Sequence, residues 1–321
     1  MKMHVMKLVV FIPAYNEEKT IEKLILGIPK KISGFDKVEI LVVNDGSNDN
    51  TVDLALNAGA TKIVSHKTNM GVGAAFMTGV RNCISMNADV AVKIDADMQF
   101  DPKNIPELTI PILNNQLDVV VGSRFLNSKV KNISRKKFVG NKIFTKIISS
   151  VTGQKFTDTQ SGFISYSKEA ISNLIVINDF TFVHEAILDL KFKGFRIGEV
   201  GVPVQYFNER KSRVVKSVFN YSYKALSIIF RSLIYHRPVF SFGILGTLLV
   251  VGGIIAKIIT ITNIFGGGIS AELSTGFIVL GIVNFMLGLF ATIVFKRQAY
   301  TERSIRYHYD EFKELKDKEN I

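Results

Sequence analysis

From Leu8 to about Tyr206, short runs of aliphatic and β-branched residues alternate with stretches of helical period. Residues 8–12 (LVVFI) precede residues 17–28, in which Ile21, Leu24, Ile25 and Ile28 share one face. The alternation recurs. Residues 38–43 come before 51–58, 61–65 before 73–85, 89–94 before 105–113, and 118–121 before a basic helical stretch opening at Arg135. Strands that are apolar throughout are buried on both faces, so the pattern predicts an α/β domain with a Rossmann-like, mostly parallel sheet covered by helices. Ligands of such sheets bind beyond the carboxyl ends of the strands. The polar signatures fall at those ends: Pro13-Ala14-Tyr15-Asn16-Glu17, Asn44-Asp45-Gly46-Ser47, Asp95-Ala96-Asp97 and Gly122-Ser123-Arg124.

The pattern changes after the domain. Residues 214–235 form a basic amphipathic stretch, with Val218, Tyr221, Ala225, Ile228, Ile229 and Leu233 interleaved with Lys216, Lys224 and Arg231. It suits a helix lying in a membrane interface. Residues 238–264 hold one charge, Lys257, and residues 273–295 hold none. Each exceeds the roughly 20 residues needed to cross a bilayer core. Arg231 and Arg237 flank the pair on one side, Lys296 and Arg297 on the other, and residues 265–272 between them carry no Lys or Arg. The positive-inside rule therefore predicts an integral membrane protein with the sheet domain and both termini cytoplasmic. Lys257 lies near the outer end of its span and snorkels. The expected division is a catalytic domain over 1–213, a juxtamembrane helix over 214–237, a transmembrane hairpin over 238–297 and a charged tail over 298–321. Gly252-Gly253 and Gly266-Gly267-Gly268 invite close helix approach and association of copies through the spans.

Charge narrows the partners. The formal net charge is +12, clustered around residues 129–146, 196–237 and 296–306. Such an excess suits nucleic acid, anionic lipid or a phosphorylated small molecule. The apolar C-terminal part favours lipid and leaves nucleic acid without support. Cys83 is the single cysteine, so no intrachain disulfide forms and a reducing compartment is permitted. Residues 1–7 run into the first strand without the apolar region of a secretory signal.

Asp95, Asp97 and Gln99 come at spacing two, and on an extended backbone all three project to one side. Hard oxygen ligands, few in number, suit Mg²⁺ or Mn²⁺ beside a diphosphate, although the Asp-x-Asp pattern alone is common in polar turns. Asn16 is placed to cap the first helix, with Glu17 and Glu18 at the positive end of its dipole. Tyr15 at a strand exit offers a ring for a nucleobase. Asp45 before Gly46 offers a carboxylate to a base or ribose, or forms an Asx-turn.

The series FIPAYNEE, VVNDGSNDNT, NMGVGAAFMTG, DADMQ, DVVVGSRF and DTQSGF, in this order, resembles glycosyltransferase family 2, and within it dolichol-phosphate mannose synthases and related polyprenyl-phosphate glycosyltransferases. The resemblance covers about residues 7–213. It implies a GT-A fold, a nucleotide-sugar donor of the GDP-mannose or UDP-glucose type, a divalent metal and inverting transfer of one hexose to a polyprenyl phosphate, dolichyl or undecaprenyl. It places Pro13, Tyr15, Glu17, Val43, Asp45, Asp95 and Ala96 at the nucleotide-sugar and Asp97 and Gln99 on the metal. Asp95, Asp97 and Arg124 are the expected catalytic group. Arg124, Arg135, Arg210, Ser212 and Arg213 are expected to hold the acceptor phosphate, planar guanidinium groups being suited to bidentate phosphate contact. The chain departs from the family at Arg210-Lys211-Ser212-Arg213, which is shorter than the usual element and lacks its glycine. A phosphate monoester is already anionic and needs no strong base, so Glu185 is assigned a structural or acceptor-orienting role. His184-Glu185 is no zinc motif, since no second histidine follows. The alternatives are extension of a lipid-linked oligosaccharide or polysaccharide and a non-catalytic membrane scaffold. The chain has no tryptophan, and so lacks the Gln-x-x-Arg-Trp element of processive relatives.

Overall fold

The computed structural model describes residues 5–126, 133, 135–176, 182–205, 218–262 and 271–319. The chain divides into two compact units, Met1–Ile229 and Phe230–Ile321.

The first unit is built on one seven-stranded sheet. Its strands are β1 (Lys7–Ala14), β2 (Lys37–Asn44), β3 (Lys62–Ser65), β4 (Val90–Lys93), β5 (Val119–Ser123), β6 (Ile164–Ser167) and β7 (Ile197–Gly201), in the order β3-β2-β1-β4-β6-β5-β7. The helices are α1 (Ile21–Gly27), α2 (Thr51–Asn57), α3 (Val72–Ser85), α4 (Ile105–Leu113), α5 (Arg135–Thr152), α6 (Lys168–Asn173) and α7 (Val183–Phe192), so the alternation read from the sequence holds from β1 to α5, while β6, α6, α7 and β7 lie beyond the elements it named. The α/β, mostly parallel architecture is the predicted one. One strand breaks the rule: β6 lies between β4 and β5 and runs antiparallel to both. The reversal has a consequence for the site. Ile164, the first residue of β6, pairs with Lys93 and Val121 near the carboxyl ends of β4 and β5. The segment that precedes β6, residues 158–163, is thereby delivered to the edge at which β4 and β5 end.

Two packed layers cover the sheet. Leu8, Val10, Ile12, Val42, Val92, Ile94 and Val120 bury one face against Ile21 and Leu24 of α1 and Ile105 and Leu108 of α4. Burying a side chain of this size contributes about 1.5–3 kcal/mol. On the other face an aromatic chain runs from Phe11 to Phe76 (centroids 5.7 Å apart), then to Tyr166 (6.3 Å) and, in a stack, to Phe182 (4.1 Å). Gly79 on α3 makes this layer close-fitting, since a Cβ there would lie 2.4 Å from the Phe11 ring.

The amphipathic stretch is helical as α8 (Val218–His236). In the second unit α9 (Pro238–Thr262) and residues 272–298 of α10 (Ala271–Glu319) are long and apolar enough to cross a membrane. They pack through small residues spaced by seven. A Cβ at Gly281 would meet the Gly246 carbonyl at 2.6 Å, and one at Gly253 would meet the Ser274 carbonyl at 2.8 Å. Of the glycines singled out in the sequence, Gly253 makes a close approach and Gly252 faces open space, while Gly266, Gly267 and Gly268 lie outside the described residues. The tail continues the second span as one helix.

Candidate active site

β1, β2, β4 and β5 point the same way, and their carboxyl ends form one edge. Pro13 and Ala14 close β1 opposite Val43 and Asn44 of β2. Val43 and Ala96 are buried, while Pro13, Tyr15 and Glu17 are half-buried. The expectation that Asn16 caps the first helix fails. The helix begins at Ile21, and Asn16 takes a left-handed conformation (φ 53°). The reason is a better set of partners across the edge. The Asn16 N–H donates to Ser47 Oγ (2.9 Å), its Oδ1 accepts from the Asn48 N–H (2.9 Å), and the Glu17 N–H donates to Thr51 Oγ1 (2.8 Å). These bonds join the loops after β1 and β2 into one wall.

Asp45 is buried at the end of β2 and organises the neighbouring loop. Its Oδ1 meets His66 Nδ1 (2.7 Å) and accepts from the Met70 N–H (2.9 Å), and its Oδ2 accepts from the Gly71 N–H (2.9 Å). His66 Nε2 in turn meets Thr78 Oγ1 on α3 (2.9 Å). The carboxylate thus fastens residues 66–71 over its own strand end. Gly46 permits the fit, because it adopts φ 73° and a Cβ would strike the Thr68 backbone at 2.6 Å. Gly71, also at positive φ, starts α3.

The segment after β4 does not stay extended, so the expected alternation of Asp95, Asp97 and Gln99 is replaced by a turn. Met98 is left-handed (φ 59°) and the Gln99 N–H donates to Asp97 Oδ1 (3.1 Å). A carboxylate two residues before an N–H closes such a turn locally, and this bond outcompetes strand geometry once β4 ends at Lys93. The residue that pairs with Asp95 is Lys93, two positions earlier in the strand. Its ammonium is buried, bonds Asp95 Oδ1 and lies 4.7 Å from the Phe182 ring centroid. Gly162 presses on the other oxygen, since a Cβ there would fall 1.6 Å from Asp95 Oδ2. Asp97 and Gln99 are half-buried oxygen donors at the edge, a set that fits a hard divalent cation. Among the described residues no group of three His, Cys, Asp or Glu side chains would enclose a metal. A cation here would therefore take its other ligands from substrate and water.

At the end of β5, Arg124 is held by a residue the sequence reading did not single out. Arg124 Nε and Nη2 donate to Asp158 Oδ2 and Oδ1 (2.6 and 2.8 Å), and the Arg124 N–H donates to Oδ2 (3.1 Å). Asn141 Nδ2 and the Gln160 N–H also donate to Asp158 Oδ1 (3.0 and 3.1 Å). Burial pushes the Asp158 carboxyl up, but the Arg124 charge and these hydrogen bonds outweigh it and hold the group below the usual carboxylate range. Glu199 of β7 braces the same loop by accepting from the Thr157 and Asp158 N–H groups. Its own carboxyl is raised by burial against those bonds. His184, at the start of α7, is fully buried with Phe144 5.5 Å away, and neither ring nitrogen has a hydrogen-bond partner among the described residues. Burial pushes it down to about 4, with Asp158 pulling the other way. Glu185 is buried beside it. The Arg135 side chain and all of Arg210, Ser212 and Arg213 lie outside the described residues.

The edge thus brings together Pro13–Glu17, Asp45, Asp95–Gln99 and Arg124 in four loops. Sequence reasoning missed Lys93, His66, Asp158 and Glu199. Lys93 left a trace, as a lone charge inside the apolar run of residues 90–94. Asp158 was also visible, as the first letter of DTQSGF.

Comparison with known proteins bears on the fold and the family. The chain is 33% identical over 215 residues to the UDP-N-acetylglucosamine–dolichyl-phosphate N-acetylglucosaminyltransferase of Methanococcus voltae, covering 61% of this chain and 84% of that one. It is 30% identical over 207 residues to the dolichol-phosphate mannosyltransferase of Pyrococcus furiosus, covering 63% and 56%. Among solved structures, glucosyl-3-phosphoglycerate synthase from Mycobacterium tuberculosis in complex with Mn²⁺, UDP-glucose and phosphoglyceric acid superposes with a TM-score of 0.55 at 21% identity, covering 72% of this chain and 79% of that one. That likeness establishes the GT-A fold. The family model for glycosyl transferase family 2 matches residues 9–175, just over half of the chain, and the protein belongs to that family.

Proposed function

We propose that the protein transfers a single hexose, with inversion, from a nucleotide-sugar to a polyprenyl phosphate at the cytoplasmic face of a membrane. The observation that carries the reading is the convergence of Asp45, Asp95–Gln99 and Arg124 on one sheet edge of a family 2 glycosyltransferase whose second unit offers two membrane-length helices. Relatives named for dolichyl-phosphate acceptors support the acceptor class. In this reading Pro13, Tyr15, Glu17, Val43, Asp45, Asp95 and Ala96 hold the donor. Asp97 and Gln99 hold Mg²⁺ or Mn²⁺, in keeping with the Mn²⁺ named for the structural neighbour. The cation, when bound, neutralises charge developing on the leaving diphosphate.

Arg124, oriented by Asp158, meets the acceptor phosphate together with Arg135, Arg210, Ser212 and Arg213. The Gln205 N–H donates to the Gln99 carbonyl (2.9 Å), which sets residue 205 beside the Asp95–Gln99 turn. A phosphate oxygen attacks the anomeric carbon as the bond to the diphosphate breaks, and the electron pair leaves with the nucleoside diphosphate. No base is required, and positioning with charge stabilisation supplies the rate. GDP-mannose, UDP-glucose and UDP-N-acetylglucosamine are the donors to screen. Membranes containing the protein, given radiolabelled donors and Mn²⁺ or Mg²⁺, should form an organic-soluble sugar lipid. Asp97→Ala should abolish it while the protein stays folded. Absence of product with every donor, or full activity in Asp97→Ala, would refute the assignment.

A further inference from the structure

A lysine with 1% of its surface exposed stands directly beneath the Asp95–Gln99 turn. An ammonium taken out of water is costly unless it is paired. Lys93 is compensated by Asp95 and by the Phe182 ring, itself stacked on Phe76. The Asp95 side chain keeps 38% of its surface exposed toward the edge, so one end of this pair is sealed and the other faces the site. Its carboxylate is clamped twice, by charge at Oδ1 and by the shape of Gly162 at Oδ2. Asp97, two residues on, is set differently, in a turn closed by the Gln99 N–H.

We propose that Lys93 and Gly162 are positioning residues that divide the labour of the two aspartates: they lock Asp95 as a fixed hydrogen-bond acceptor for a hydroxyl of the nucleotide-sugar and keep it out of the metal's ligand set, which is left to Asp97 and Gln99. The inference rests on the donor-site reading above. The charge balance points the same way. A site that must take a diphosphate and then a phosphate monoester gains from a buried positive charge that cancels one of its own carboxylates, because a group sealed from solvent is little screened by salt.

The division predicts effects of opposite sign. Lys93→Met keeps an unbranched side chain against Phe182 but releases Asp95, whose unpaired charge can then turn toward the cation. Full-length protein in detergent is titrated with Mn²⁺ alone by electron paramagnetic resonance, and with UDP-glucose, GDP-mannose and UDP-N-acetylglucosamine at saturating Mn²⁺ by calorimetry. Lys93→Met should bind Mn²⁺ at least as tightly as wild type, yet bind its donor roughly tenfold more weakly, the loss of one charge-assisted hydrogen bond. Gly162→Ala retains Lys93 and displaces Asp95 by contact; it should weaken donor binding likewise. Parallel loss of metal and donor in Lys93→Met would mean a merely structural lysine and overturn the proposal, as would unchanged donor affinity. If Lys93→Met does not fold, Gly162→Ala decides, and wild-type donor affinity there overturns it. A wild type that binds none of the three nucleotide-sugars with Mn²⁺ would overturn the donor-site reading itself, and the clamp's purpose with it.

Discussion

Asp158→Asn is the substitution whose cost the structure defines most closely. The change is isosteric. The remaining carbonyl oxygen can still accept from Asn141 Nδ2 and the Gln160 N–H, which both use Oδ1. What is lost is the acceptor facing Arg124 Nε and the charge opposite a guanidinium that is only 13% exposed. Leaving one member of a buried pair without its counter-ion costs about 3–5 kcal/mol, so Asp158→Asn should destabilise the first unit by that amount. Arg124→Met should cost a similar amount, because Asp158 has no exposed surface through which water could replace the arginine. In the double variant neither charge remains, and the cost should fall short of the sum by about 2–3 kcal/mol. Urea unfolding of the detergent-solubilised protein, followed by the tyrosine near-ultraviolet circular dichroism signal, supplies the four corners of the cycle. The folded carboxyl is depressed below its unfolded value, so the pair's contribution is full above about pH 4 and is lost as pH falls through the folded value. The penalty of Asp158→Asn should accordingly shrink only in strong acid. Additivity within about 0.5 kcal/mol, or a single-variant cost below about 1 kcal/mol, would refute the coupling.

Two further tests follow from burial and close approach. His184 titrates at about 4 in the folded protein against about 6.5 unfolded, so its contribution is full above about pH 6.5 and is lost as pH falls toward 4. His184→Phe removes that linkage; relative to wild type it should gain about 2 kcal/mol between pH 7.5 and pH 5, measured by the same unfolding assay, and a pH-independent difference would contradict the burial argument. In the hairpin, Gly281→Ala drives a Cβ to 2.6 Å from the Gly246 carbonyl and should lower stability by about 1–3 kcal/mol. Gly276→Ala, which meets nothing within 4 Å, should be neutral or slightly stabilising when both are compared by thermal unfolding in detergent.

Hydrophobic period alone determined the order of the first five strands and helices, the parallel sense of most of the sheet and the two apolar C-terminal segments. These follow from local pattern, since a strand buried on both faces and a span of membrane length each write themselves as a continuous apolar run. The motif series determined the family, and it put the polar loops at the strand ends. Tertiary structure decided what each polar residue touches. Asn16, read locally as a helix cap, is taken by the loop after β2, 31 or more residues away. Asp45, read as offering its carboxylate to a base or ribose or as closing an Asx-turn, also fastens residues 66–71 over its strand end. The reversal of β6 could not be seen in its own four residues, because so short a run carries no mark of direction; only its partners β4 and β5 fix it. That reversal sets Asp158 against Arg124 and Gly162 against Asp95. Pairings of this kind join positions 34 to 67 residues apart, and their strength comes from burial and shared charge, which exist only once the sheet has closed around them.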